Sequence, residues 1–195
     1  MAERLSPLGA AFRPGMHGGP GAGPGVRLSE VTPPSIMEAT AWPGRKGALA
    51  EAISAVTGLS LSARPNAGAV SAEASAFSIA PERFLVCGGA ELPARLAAAI
   101  TIETGTVVDL SHGRTALRIA GPRAEWVLSK LFAVDVAPAA FPVAEARATS
   151  HHEIFAQIQR TGPDQFDIFV FRSFARAFWT MLCDAAEEVG YEAAG

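Results

Sequence analysis

Residues Val107–Leu131 read VVDLSHGRTALRIAGPRAEWVLSKL, and this run decides the fold class. Val107–Leu110 has the β-branched composition of a short strand. Ser111-His112-Gly113 is a turn, with Gly113 supplying a permissive backbone. Arg114–Ala120 then alternates strictly: Thr115, Leu117 and Ile119 face one way, and Arg114, Ala116 and Arg118 the other. That is the period of a half-buried strand. Gly121-Pro122 turns the chain into a helix, with Pro122 suited to its first position, and Ala124, Val127, Leu128 and Leu131 recur at helical spacing. Two strands joined by a tight turn pair antiparallel, which argues for an α+β fold over a doubly wound parallel sheet.

Upstream, Ile36–Trp42 predicts a strand broken by Pro43-Gly44. Leu49, Ala52, Ile53 and Val56 predict a helix that Gly58 ends. Leu59–Ala63 reads as a strand and residues 64–76 as a loop. Phe77–Ala80 and Phe84–Cys87, around Pro81-Glu82-Arg83, read as a hairpin, and Leu92–Glu103 as a second helix. Downstream, residues 135–142 form a loop, and strands fall at about 145–151, 153–160 and 166–171. Ser173 is a natural N-cap for a last helix over 174–189, closed by Gly190. The halves look alike. Ala41-Trp42-Pro43-Gly44-Arg45 parallels Ile119-Ala120-Gly121-Pro122-Arg123, and Ala80-Pro81-Glu82-Arg83-Phe84 parallels Gly162-Pro163-Asp164-Gln165-Phe166. Two related β-α-β-β(-β)-α units with largely antiparallel sheets follow, over about 26–105 and 106–190, within one domain at 26–195. Nine of the twelve residues 14–25, PGMHGGPGAGPG, are Gly or Pro. Residues 1–25 therefore read as a flexible arm unable to hold a helix or a strand ladder.

Composition excludes several classes. The 195 residues carry a net charge of −3, with 14 Arg and 2 Lys, too little positive field for broad nucleic-acid binding. No apolar run approaches the ~18 residues a membrane span requires. The N-terminus has Arg4 but no apolar segment of a secretory signal. Two cysteines, Cys87 and Cys183, form no disulfide framework or metal spacing, the pattern of a reduced, cytoplasmic chain.

The chemistry-bearing residues do not assemble a catalytic set. Asp109, Ser111 and His112 are neighbours, whereas triads draw nucleophile and base from distant segments; bonding to nearby backbone amides fits them better. The consecutive His151-His152-Glu153 diverge along a strand and cannot share one tetrahedral metal ion without a distant third ligand. Arg114 and Arg118 share a strand face about 14 Å apart, able to clamp an anion or a partner's carboxylates. The final helix is apolar over a wide arc, with Phe174, Phe178, Met181, Leu182, Ala185 and Val189 on one stripe and Ala175, Trp179, Cys183 and Ala186 beyond it. The strand before it is apolar on both faces, Phe166, Ile168 and Val170 against Phe169 and Phe171, so both faces are covered, by the rest of the chain or by another protein. The candidate subunit interface is thus Trp179, Ala175, Cys183, Phe169, Phe171, Arg114 and Arg118. On that reading Trp179→Asp leaves the fold intact and weakens assembly.

The run Val107–Leu131 resembles the gamma subunit of heterotetrameric sarcosine oxidase. It is similar, more distantly, to the folate-binding domain of the glycine-cleavage T-protein (aminomethyltransferase), whose Asp-x-Ser-His turn and Gly-Pro before a helix match Asp109, Ser111, His112, Gly121 and Pro122. Phe166–Gly190, with strand, Arg-Ser-Phe and a Trp-bearing helix, fits the gamma pattern, as does Ser6-Pro7-Leu8. The resemblance implies a T-protein-like fold and a place beside alpha, beta and delta subunits in an enzyme demethylating sarcosine to glycine. That enzyme releases hydrogen peroxide with formaldehyde or methylene-tetrahydrofolate. It implies FAD, FMN, NAD, tetrahydrofolate and zinc in the other chains, and no cofactor, metal or catalytic residue in this one. A stand-alone folate-dependent one-carbon protein, with Asp109 as the only motif-borne acid for the pterin, and a regulatory domain binding a small ligand are the alternatives.

Overall fold

The computed structural model describes residues 5–19 and 23–195. In chain order the elements are β1 (Gly15–His17), β2 (Val26–Val31), β3 (Ser35–Ala41), α1 (Lys46–Thr57), β4 (Gly68–Val70), β5 (Ser75–Ala80) and β6 (Arg83–Gly88). Then come α2 (Leu92–Ala99), β7 (Gly105–Asp109), β8 (Arg114–Ala120), α3 (Ala124–Leu131), β9 (Ala146–His151), β10 (Ile154–Gly162), β11 (Gln165–Phe171), α4 (Ala175–Ala186) and β12 (Tyr191–Ala194). The fold is α+β with largely antiparallel sheets; β12 pairs with β2 in parallel.

The chain divides into two compact units. One holds Pro33–Ser111 and Ala144–Ala148; the other holds the N-terminal segment through Thr32 with His112–Val143 and Thr149–Gly195. The first unit is a five-stranded sheet, β4-β5-β6-β3-β7. Its core joins Met37, Ala39, Leu49, Ile53, Phe84, Val86 and Leu96, so α1 and α2 cover one face. α1 buries Leu49, Ile53 and Val56 of the expected stripe, with Ala50 in place of Ala52. Gly58 ends it at φ +75°, its N–H donating to the Ser54 carbonyl at 2.8 Å, the left-handed cap that glycine adopts without penalty.

The second unit is a seven-stranded sheet, β1-β12-β2-β8-β11-β10-β9. Leu117, Ile119, Phe166, Ile168, Val170, Ala156, Ile158, Val26 and Leu28 supply its helix-facing side. They pack with Val127 and Leu128 of α3 and with Phe178, Trp179 and Leu182 of α4. The internal repeat is visible in the element order: β3-α1-β4-β5-β6-α2-β7 and β8-α3-β9-β10-β11-α4-β12. One difference stands out. β7 lies directly against β3, whereas β2 is inserted between β8 and β12.

Several local expectations are corrected. Leu59–Ala63 forms no strand, while β4 arises inside the expected loop and β12 beyond the expected last element. Pro122 lies two positions before the first residue of α3, and Arg123 occupies the N-cap. Ser173 caps nothing: Arg172–Phe174 is a 3-10 turn and Phe174 is the N-cap of α4. The expected arm is corrected where it is described, for Gly15, Met16 and His17 pair antiparallel with Ala193, Glu192 and Tyr191. Its glycines permit close approach. A Cβ on Gly18 (φ +60°) would sit 2.3 Å from the Glu187 carbonyl oxygen, and the Gly19 N–H donates to that oxygen at 2.8 Å. The remainder of the expected arm at 1–4 and 20–22 lies outside the described residues.

Candidate functional site

The turn after β7 is built as a backbone device. Asp109 Oδ1 accepts the Ser111 N–H at 2.8 Å, and Ser111 Oγ accepts the Ile36 N–H at 3.0 Å. Ser111 is 6% exposed. Its hydroxyl thus ties the end of β7 to the start of β3, the local amide bonding that short polar side chains favour in turns.

On the seven-stranded sheet, register pairs Arg118 with Asp167 and Arg114 with Phe171 across β8 and β11. The Arg118 guanidinium donates from Nε to Asp167 Oδ1 at 2.6 Å and from Nη2 to Oδ2 at 2.8 Å. This bidentate geometry is the strong form of such pairs. The Asp167 hydrogen bond raises the Arg118 pKa, burial opposes the rise, and the carboxylate charge adds to it. The Arg114 guanidinium lies 3.8 Å from the Phe171 ring centroid, and the residue is 6% exposed. The two arginines share a face as predicted, but they do not form an open anion clamp, because each is engaged by its cross-strand neighbour.

The apolar part of the expected interface is also corrected. Trp179 is 2% exposed and Ala175 fully buried, both in the core of the seven-stranded unit. Phe12 covers Trp179, ring centroids 5.5 Å apart. The segment carrying Phe12 is fastened by Arg172 Nη2 to the Leu5 carbonyl (2.6 Å) and Arg176 Nε to the Pro7 carbonyl (2.9 Å), with Leu8 buried in the core. The wide apolar arc of α4 is therefore covered by the chain's own N-terminal segment. Phe169 is likewise buried, at 2% exposure, whereas Phe171 remains 42% exposed and Cys183 half-buried.

Cys183 borders a small cleft that the sequence does not reveal, since its walls come from two distant segments, 11–17 and 179–193. Arg13 and His17, Cys183 and Asp184, and Tyr191 line a volume of ≈ 210 Å³. The His17 ring stacks on Tyr191 with centroids 4.9 Å apart, and His17 Nε2 lies 2.8 Å from the Arg13 carbonyl oxygen. Burial pushes the Cys183 thiol pKa up, the Tyr191 hydrogen bond opposes this, and the Asp184 charge adds to it. Burial also pushes the Tyr191 phenol up, helped by its bond to Cys183. Both groups hold their protons at neutral pH, and a thiol so placed is a poor nucleophile. Elsewhere, His151 Nδ1 lies 2.6 Å from the Leu131 carbonyl oxygen, and His152 sits in the β9–β10 turn at φ +50°. Among the described residues, no three His, Cys, Asp or Glu side chains come together as a metal set.

Comparison with known proteins adds what this geometry leaves open. Residues 44–188 match the model of the "Sarcosine oxidase, gamma subunit family". The chain belongs to this family. The sarcosine oxidase subunit gamma of Corynebacterium sp. (strain P-1) is 37% identical over 171 residues, covering 86% of this chain and 83% of that one. The subunit gamma of an Arthrobacter species is 34% identical, covering 84% and 81%. Among solved structures, a chain of the heterotetrameric sarcosine oxidase from Corynebacterium sp. U-96, determined in complex with pyrrole 2-carboxylate, superposes with a TM-score of 0.78 at 30% identity, covering 94% of each chain. The aminomethyltransferase T of the Bartonella henselae glycine cleavage system superposes at 0.55 and 17% identity, covering 97% of this chain and 52% of that one. The latter shows a shared fold: the gamma-family chain has the T-protein-like architecture.

Proposed function

We propose that this chain is the gamma subunit of a heterotetrameric sarcosine-oxidase-type flavoenzyme, a non-catalytic subunit whose work is assembly. The enzyme oxidatively demethylates sarcosine to glycine, with hydrogen peroxide and formaldehyde or methylene-tetrahydrofolate as products. The observation that carries this reading is the near end-to-end superposition on a chain of such a tetramer. Alpha, beta and delta chains are the partners, the setting is cytoplasmic, and Phe171, Cys183 and the exposed part of Arg118 are the contacts left accessible from the expected interface. No helix among the described residues is long and apolar enough to cross a membrane.

On this reading the cofactors of the assembly sit in the other chains, and three features of the described residues favour it. A zinc site needs three or four converging ligands, a set the described residues lack. A flavin or nicotinamide pyrophosphate asks for a glycine-rich turn opening a helix; the glycines before Val26 lead into β2. For tetrahydrofolate, Asp109 spends an oxygen on the Ser111 amide. The cleft holding Asp184 has a volume of ≈ 210 Å³, below the roughly 300 Å³ where sites for ligands of that size begin. The proposal keeps FAD, FMN, NAD, tetrahydrofolate and zinc with the other subunits.

A tagged pull-down from the native cell, with mass identification and a visible spectrum, tests the reading. Yellow, flavin-bearing material with two large chains and one small one supports it. A colourless lone chain, reproducible at low salt, overturns it, and equilibrium dialysis with a reduced folate then decides the stand-alone alternative.

A further inference from the structure

The five-stranded unit carries a groove of ≈ 380 Å³ beside the β5–β6 hairpin and the first turn of α1, within the ~300–1,000 Å³ range of small-ligand sites. Its walls include Pro65, Ile79 and Ala148, and its polar groups are Lys46, Asn66 and Ser78. No acidic residue lines it. Lys46 Nζ donates to Ser78 Oγ at 3.0 Å and lies 5.2 Å from the Phe84 ring centroid. Ser78 Oγ in turn donates to the Ala80 carbonyl at 3.2 Å. The Ser78 contact occupies one of the three ammonium donors. Among the described residues no carboxylate pairs with Lys46, whereas the chain's other lysine, Lys130, pairs with Glu188 at 3.0 Å. The wall is fixed in advance. Asn66 is held at φ +59°, and its carbonyl accepts the Ala146 N–H at 3.0 Å.

We propose that this groove binds a small monocarboxylic acid with an apolar body, aromatic or branched. Its carboxylate meets Lys46, and its hydrocarbon part lies against Ile79, Pro65 and Ala148. A half-buried ammonium facing an apolar groove without an acid selects an anion, because the charge gains most from a counter-ion where water is scarce. One cation and no guanidinium fork select a single negative charge over a phosphate dianion. Ser78 holds the Lys46 ammonium in place, and the Asn66 side-chain amide, a donor, orients the carboxylate. The proposal concerns this unit alone and stands whether or not the assembly reading holds.

The test is ligand-observed fluorine NMR with 4-fluorobenzoate on the full chain, with benzoate, acetate and benzyl alcohol as competitors. Saturable line broadening reversed by benzoate, and not by equal acetate or benzyl alcohol, is the expected result. Lys46→Gln weakens binding at least tenfold. Ala148→Phe, at an exposed position that tolerates a larger side chain, fills the groove and removes binding, which keeps the test decisive should Lys46→Gln fail to fold. The proposal is overturned if the unmodified chain shows no saturable broadening, if benzyl alcohol competes as well as benzoate, or if either folded variant binds like the parent.

Discussion

Trp179 gives the sharpest experiment, because two readings of one side chain predict opposite outcomes for Trp179→Asp. If the indole met a partner subunit, the substitution would spare the fold. The structure instead places it at 2% exposure, between Phe12 and the core of the seven-stranded unit. Removing a buried Trp side chain costs about 3–5 kcal/mol. Keeping the new carboxyl neutral at pH 7, against an ordinary pKa of about 3.9, costs about 4 kcal/mol more. The sum, roughly 7–9 kcal/mol, rivals the ~5–15 kcal/mol net stability of an ordinary domain. Some relief comes from the Phe12 segment lifting to admit water. Even so, Trp179→Asp should be largely unfolded, while Trp179→Ala should fold with its urea midpoint lowered by the equivalent of about 3–5 kcal/mol. Far-UV circular dichroism is the readout, since Trp42 and Trp126 would confuse fluorescence. A Trp179→Asp chain within about 1 kcal/mol of the parent, yet unable to join its partners, would return Trp179 to the interface and refute the burial argument.

Arg160 is the second test of the core. It is 2% exposed, pairs with Glu125 at 2.6 Å, and donates to the carbonyls of Val136 (3.1 Å), Phe141 (3.3 Å) and Pro163. Arg160→Ala strands those acceptors and should destabilise by about 3–5 kcal/mol in urea; a loss below about 1 kcal/mol would show that water replaces the guanidinium. Tyr191 predicts an alkaline effect. Its pKa is raised in the folded chain, so the folded state binds more protons than the unfolded state once pH passes about 10. The stabilisation is complete below that pH and declines as pH rises further. Melting temperatures measured from pH 8 to 11 should fall more steeply for the parent than for Tyr191→Phe, and parallel curves would refute the linkage.

The elements legible in the sequence are those whose signal is local. Arg114–Ala120 is legible as a strand from its alternation, although Arg114 and Ala116 on its second face are buried as well and the strand is not half-buried; the Ala124-Val127-Leu128-Leu131 stripe needs only its own turn spacing. What stayed hidden depends on distant partners. The Arg118–Asp167 pair requires the β8–β11 register across 49 positions, and the Arg172 bond to Leu5 spans 167. Trp179 looked like surplus apolar surface because nothing near α4 in sequence announces that Leu8 and Phe12 will cover it. β1 reads as arm in the sequence because glycine signals backbone freedom. Here that freedom permits a close approach to Glu187 and Gly190, which any Cβ would block.

The inserted strand explains why the repeat, traceable in sequence, misplaces the boundary between the units. In the five-stranded unit β7 returns directly to β3, and Gly105 allows it: a Cβ there would stand 2.1 Å from the Thr40 carbonyl oxygen. In the seven-stranded unit the corresponding place beside β8 is taken by β2, whose Leu28 faces Ile119. Gly121, at φ +132°, lets the chain pass Gly25, whose carbonyl oxygen would lie 2.8 Å from a Cβ. β12 then pairs in parallel with β2, and β1 pairs with β12. Residues before Thr32 thereby become structural parts of the later half. They supply Leu8, Val26 and Leu28 to its core. A reading that follows the repeat along the chain must assign those residues to the earlier half, because strand insertion leaves no mark in local periodicity; it becomes visible only when pairing partners are known.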